Sequence, residues 1–284
     1  MAFITAETIS KLLVPLLERT IVLPATVSQI PSGDYVGSGG TTKVRIPQRR
    51  AANLYTGSLT YGSISEDEVE IEVTRWWDAV NVTTAQATLD LVSFTNQVLE
   101  PMVTSVSEAG ENVLAAAMDG VTPAFDWTDL TDPDSTLADL LKIRETLTSN
   151  KVPAGDRFVA CAPDVVTALL SIPTFVRANE SGDTTALDEA IISRKFGLTF
   201  VESSAIEAGS AVAYHRSGFA LATFSPTLPY GGADSSVTSD SGITLRTVLA
   251  YISSTGDNGV LVDTYGGATA VDADNRVVRV VAGS

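Results

Sequence analysis

The sequence predicts an α+β protein on three observations. Residues 43–73 hold two short runs in which charged and apolar side chains alternate strictly, a strand period. Leu91, Phe94, Val98, Met102, Val106, Ala109, Val113 and Ala117 step by three or four, a helix period. From Arg157 onward, short apolar strands and a short helix follow one another, the pattern of a mixed layer rather than a bundle or a sandwich.

Taken in order, residues 1–36 read as an N-terminal arm. Ile9, Leu12, Leu13, Leu16 and Leu17 recur at helical spacing, and Pro15 and Pro24 limit the segment's length. Gly37-Ser38-Gly39-Gly40 lacks the Lys-Ser/Thr of a phosphate-binding loop and precedes a strand, so it reads as a hinge. Residues 37–80 form an extended hairpin loop. Lys43-Val44-Arg45-Ile46 and Glu68-Val69-Glu70-Ile71-Glu72-Val73 have opposite charge. Paired antiparallel, Val44 and Ile46 lie beside Val69, Ile71 and Val73, and Lys43 and Arg45 face Glu68, Glu70 and Glu72. A two-stranded ribbon is marginal alone in water, so it is expected to find stability only on adjoining copies of the chain. Trp76 and Trp77 follow, and at least one is expected to anchor the ribbon where it meets the body.

Residues 81–155 carry the long helical run over 88–119, in which Pro101 marks a kink or the first turn of its second part. Asp134 or Ser135 caps a second helix with Leu137, Leu140, Leu141 and Leu147 on its apolar face. Residues 156–254 form a compact α+β unit. In it Arg157–Cys161 is a buried strand, Asp164 caps a short helix, and strands follow at Leu198–Val201, Ala211–Tyr214 and Phe219–Thr223. Ser225–Gly242, rich in Pro, Gly, Ser and Asp, reads as a surface loop. Residues 255–284 return as strands around the Asp272–Asn275 turn.

The formal charge of −16 over 284 residues argues against attraction to nucleic acid or an anionic membrane. Arg49 and Arg50 with Tyr55 and Tyr61 could suit a single strand. However, the five acids among residues 66–72 offset the four bases among residues 43–50, which favours pairing within the ribbon or between subunits. One histidine and one cysteine exclude a disulfide within the chain and a Cys/His zinc site. No stretch approaches about 18 uninterrupted apolar residues, and the first residues lack a basic leader with an apolar core, so a reducing origin is expected. His215 and Ser217 do not form a nucleophilic pair by this reading, because neighbours in a strand–turn–strand point apart and no GxSxG is present. Asp132 and Asp134 flank Pro133 beside a helix start and serve as caps, and Cys161 is a small buried core residue. Neither cofactor nor metal is implied.

The order of segments resembles the major capsid (coat) proteins of tailed bacteriophages, with the fold named for the Hong Kong phage capsid. Thr42–Pro47 and Glu68–Val73 resemble the two strands of that family's extended loop, and Asp90 through Met118 resembles the approach to its spine helix and the helix itself. Ala162-Pro163-Asp164-Val165-Val166 resembles the strand-to-helix step into its axial domain. Lys195–Ser204, Ala211–Arg216 with Phe219–Ala222, and Thr264–Ala268 resemble later elements of that domain and the turn to the last peripheral strands.

The resemblance implies an N-terminal arm, extended β-hairpin, long spine helix, peripheral sheet and axial α+β domain. It implies a structural, non-enzymatic subunit that self-assembles through hexamers and pentamers into an icosahedral shell around a genome. Within that family the chain most resembles the coat proteins that assemble on a separate scaffold. The expected partners are therefore further copies of the chain, a scaffolding protein, a portal, possible decoration proteins and packaged DNA that is near but not specifically bound. The expected location is the virion, assembled in the host cytoplasm. Lys43 is the only lysine in the loop region and sits in the strand, so no covalent cross-linking of subunits is expected. The candidate intersubunit contacts are Lys43, Arg45, Arg49, Arg50, Glu66, Asp67, Glu68, Glu70, Glu72, Trp76 and Trp77. An encapsulin-like cellular compartment shell shares the fold and is the alternative; a hydrolase with a loop-borne site is the more distant one.

Overall fold

The computed structural model describes residues 21–30, 40–47, 52, 54, 55, 57, 61, 63, 66–83, 95–172, 194–229, 234–240 and 242–283. The expected arm helix, Arg49, Arg50, Leu91 and Phe94 lie outside these residues. The chain is α+β, with two six-stranded sheets and a separate two-stranded ribbon among the described residues.

The first sheet is built on β13 (Asp257–Ala270). Along one edge of β13 lies β4 (Thr74–Val82). Along the other lie β12 (Ile243–Ile252) and then β10 (Phe219–Phe224). β11 (Asp234–Asp240) extends the sheet beyond β12, and β1 (Ser28–Ile30) pairs with β10 in parallel. The second sheet has the order β5 (Phe125–Trp127), β14 (Val277–Ala282), β9 (Ala211–His215), β6 (Arg157–Cys161), β8 (Leu198–Glu202), β7 (Arg194–Lys195). The ribbon is β2 (Thr41–Pro47) with β3 (Glu66–Glu72).

These sheets divide the chain differently from a boundary near residue 255. β10, β11 and β12 join the sheet of β4 and β13, while the last strand, β14, lies between β5 and β9. Ser225–Gly242, expected as a loop, contains β11. Gly242 at φ +88° makes the tight turn, and pairing with β12 supplies backbone hydrogen bonds that the polar sequence DSSVTSD does not advertise.

α1 (Glu100–Asp119) follows a π-type turn at Thr95–Leu99 and spans about 30 Å. Pro101 sits in its first turn, where a missing N–H costs nothing. Met102 and Val106 of the expected stripe are buried. Farther along, the buried face moves by one position to Gly110, Leu114 and Met118, and Val113 and Ala117 are only half-buried. The reason is the sheet beneath: a Cβ on Gly110 would come 2.8 Å from Ile243 Cδ1, so the helix lies closest to β12 there. Val98, Leu99, Met102, Val103 and Val106 pack with Ile21 on Val82, Ile243, Leu245, Val260 and Val262. The larger core fills the space around the second sheet and includes Leu114, Met118, Leu147, Val165 and Tyr214. Leu114→Ala is expected to cost about 2–5 kcal/mol, read as a lower urea midpoint at unchanged m-value.

α2 (Pro133–Ser149) is capped by Asp132, not by Asp134 or Ser135. Asp132 Oδ2 accepts from Ser135 N at 3.1 Å and from Ser135 Oγ at 2.6 Å. Its inner face is Leu140, Ile143 and Leu147, and Leu141 points outward at 41% exposure. α3 (Pro163–Leu170) has Ala162 at its cap position. Asp164, expected as the cap, instead accepts from Val165 N at 2.9 Å and Gly209 N at 2.7 Å, tying the helix start to a neighbouring loop. β6 is buried as expected. Cys161 is fully buried, and burial pushes its thiol well above the usual range, so it stays protonated.

Candidate assembly surface

The alternating runs pair antiparallel, with Val44 opposite Val69, Lys43 opposite Glu70 and Arg45 opposite Glu68. The register differs from a fully apolar face in two places: Ile71 stands opposite Thr42, and Ile46 opposite Asp67. Lys43 Nζ lies 3.1 Å from Glu68 and 3.2 Å from Glu70, and Arg45 lies 3.4 Å from Glu68 and 3.8 Å from Glu66. Both cations are thus held within the ribbon. Glu72, expected to face them, stands opposite Thr41 and has no ion pair among the described residues. The hydrogen bond from Lys43 holds the Glu68 carboxyl below its ordinary range and raises the lysine. These pairs are exposed, so they fix register more than they add stability, and salt weakens them.

The ribbon is not independent of its own body. Ile71 is fully buried against Ala220 and Ala222 of β10, with Ile30, Val44, Val73 and Val271 around it. This corrects the expectation that residues 43–75 find stability only on adjoining copies, because the root is anchored within the subunit. The crossing is tight: a Cβ on Gly267 of β13 would lie 2.2 Å from the Glu72 carbonyl oxygen. Val73 N donates to Gly40 O at 2.9 Å, and Gly40 at φ +100° turns the chain into β2. Farther out, Leu54, Tyr55 and Tyr61 are 89%, 67% and 90% exposed. Aromatic and apolar groups so open to water are typical of a contact surface.

Trp76 and Trp77 belong to β4 in the body sheet, opposite Thr264 and Asp263, and are 38% and 63% exposed. Neither is the buried anchor expected between ribbon and body; Ile71 fills that position. β4 is a sheet edge with Trp76, Trp77 and Val80 open to solvent.

Beneath Trp77 lies a buried charge cluster that the sequence reading did not single out. Asp263 is fully buried on β13. Arg246 of β12 donates to it through Nε at 2.8 Å and Nη2 at 2.6 Å, and Arg75 of β4 donates through Nε at 3.0 Å and through Nη2. The only signal was one charge of each sign inside otherwise apolar or hydroxyl-bearing strands, Leu245-Arg246-Thr247 and Val262-Asp263-Thr264.

His215 and Ser217 are closer than expected. The 3₁₀ turn Arg216–Gly218 folds Ser217 back, so that His215 Nδ1 accepts from Ser217 N at 3.2 Å and lies 2.8 Å from Ser217 Oγ. Ser217 Oγ also accepts from Arg276, which Asp272 holds at 3.1 Å. Burial, then the positive Arg276, lower the histidine's pKa. The pair caps a turn between β9 and β10. Among the described residues no group of three or more His, Cys, Asp or Glu is placed to hold a metal ion.

No family model and no curated protein matches the chain. Solved structures do. A protein of Mycobacterium phage Che8 is 16% identical and superposes with a TM-score of 0.69 over 91% of this chain and 90% of its own. The capsid of cyanophage P-SCSP1u is 10% identical, TM-score 0.69, over 93% and 88%. A virus-like particle from Pyrococcus furiosus is 12% identical, TM-score 0.61, over 96% and 98%. The chain therefore has, over most of its length, the α+β Hong Kong phage capsid fold that its segment order resembled.

Proposed function

We propose that this chain is the major capsid subunit of a tailed bacteriophage, assembling with copies of itself into an icosahedral shell. The observation that carries the reading is that likeness to solved phage structures, a capsid among them, covers about nine-tenths of both partners. The ribbon supports it. Only its root is buried at home, and its outer part leaves Leu54, Tyr55 and Tyr61 open to solvent. Hexamers and pentamers, a separate scaffold, a portal, packaged DNA beside but not bound to the wall, decoration proteins, and assembly in the host cytoplasm before residence in the virion belong to the same proposal. In it Lys43 and Arg45 hold the ribbon's register. Arg49, Arg50, Glu66, Asp67, Glu68, Glu70, Glu72, Trp76 and Trp77 meet neighbouring copies.

Electron microscopy of the purified product tests this: uniform closed particles are expected, and a stable monomer at high concentration refutes it. Glu70→Lys with Glu72→Lys is expected to abolish particles while leaving the melting temperature within about 2 °C of the parent. Normal shells from that variant would remove the charge-pairing idea. The Pyrococcus furiosus likeness favours a second reading, a cellular compartment shell. Nucleic acid inside the particles supports the viral reading, and cargo protein the other. His215→Ala is expected to change no ester, peptide or phosphate hydrolysis; a lost activity would revive the enzyme reading.

A further inference from the structure

Glu111, midway along α1, is 7% exposed and touches three separate parts of the fold. Its Oε1 accepts from Ser203 Oγ at 2.6 Å, just beyond the end of β8. Its Oε2 accepts from Val22 N at 3.4 Å, where the segment 21–27 crosses the helix. The three meet at a cavity of about 380 Å³, also lined by Glu108, Asn112, Glu202 and Ser204. Among the described residues every charged group lining that cavity is a carboxylate: Glu108 comes from the helix and Glu202 from β8, and segment 21–27 carries no charge. The other buried carboxylates are matched differently. Asp263 has two arginines, and Asp139 has the Thr128 N–H and hydroxyl.

We propose that Glu111 is a proton-operated clasp that holds segment 21–27 on the long helix when neutral and loosens it when ionised. The geometry suits both forms. Ionised, the carboxylate accepts from Ser203. Neutral, it donates to Ser203 Oγ, which already accepts from Ala205 N at 3.2 Å. Burial raises this carboxyl's pKa and outweighs the hydrogen bonds from Ser203 and Val22, which favour the charged form and lower it; Glu108 adds a smaller rise. Segment 21–27 is fixed at its far end, where Thr26 Oγ1 lies 2.5 Å from the buried Tyr214 hydroxyl. Opening at Glu111 therefore frees Ile21 and Leu23, both buried. The closed carboxyl binds its proton more tightly than the open one. Closure is thus strongest below the ordinary glutamate pKa and is lost as pH rises through the raised value.

Hydrogen exchange of the full-length subunit, corrected for intrinsic rates and followed from acid to neutral pH, tests the clasp. Protection of peptides covering 21–27 is expected to fall by up to tenfold per pH unit within that window. Glu111→Gln is expected to hold the acid level of protection at every pH. Ser203→Ala removes a donor to the charged form and is expected to move the window to higher pH. A wild-type profile that is flat, or the same in Glu111→Gln, overturns the proposal. If Glu111→Gln does not fold, an unmoved window in Ser203→Ala overturns it. The readout is a property of the subunit and stands or falls apart from the capsid reading.

Discussion

Asp263→Ala is expected to lower folding stability by about 3–5 kcal/mol, the largest effect of any single charge removal among the described residues. The carboxylate is wholly inaccessible, and the Arg246 side chain it binds is only 9% exposed. Its removal leaves a guanidinium in the sheet interior with the Thr227 carbonyl as its remaining acceptor. Little of that side chain reaches water, so most of the cation's desolvation goes uncompensated. Arg75→Ala is expected to cost much less, because that side chain is 42% exposed and Arg246 still satisfies the acid. Asp263→Leu combined with Arg246→Met removes both charges together, and is expected to recover most of the loss. Urea unfolding of the three variants decides this. Equal losses for Arg75→Ala and Asp263→Ala would show that the cluster is not the buried pair described.

Gly267→Ala is expected to displace the ribbon. Its new Cβ would lie 2.2 Å from the Glu72 backbone oxygen and 3.0 Å from Ile71 Cγ2. The first of these is main chain and cannot swing aside, so β3 has to lift from β13 or β13 has to bend. Overpacking of this kind costs about 1–3 kcal/mol. It also pulls Ile71 from its seat on Ala220 and Ala222 and so changes the angle at which the ribbon leaves the body. Particle yield is expected to collapse even under conditions where the subunit remains folded. Gly266→Ala is the control: its nearest neighbour is Trp76 Cδ1 at 3.8 Å, an ordinary contact, and near-parental behaviour is expected. Equal behaviour of the two variants would show that the crossing does not set the ribbon's angle.

The ribbon shows how far local pattern reaches. Alternation over Lys43–Ile46 and Glu68–Val73 was enough to pair the strands, because side chains of a strand leave on alternate faces whatever surrounds them. It did not fix which carboxylate meets which cation. That depends on one register, and the alternation tolerates neighbouring registers that also join charges of opposite sign. The Leu114 and Met118 face of the long helix was shifted by one position from its sequence stripe, because Gly110 brings the helix close to Ile243 of a strand more than a hundred residues away. His215 and Ser217 were read as pointing apart; a single 3₁₀ turn brought them together.

The sequence by itself determined the α+β class, the ribbon, the long helix and most strands, since these follow from the spacing of apolar side chains along a local backbone. It also excluded a disulfide within the chain, from composition alone. Only the tertiary structure decided that β10, β11 and β12 lie with β4 and β13, that β14 completes the other sheet, and that Arg75, Arg246 and Asp263 form one buried cluster. It alone placed Ile71 on the body and Gly267 at the crossing. Strand partnership and the burial of a charge depend on groups far apart in the chain, and a periodicity measured over a dozen residues carries no record of what lies opposite.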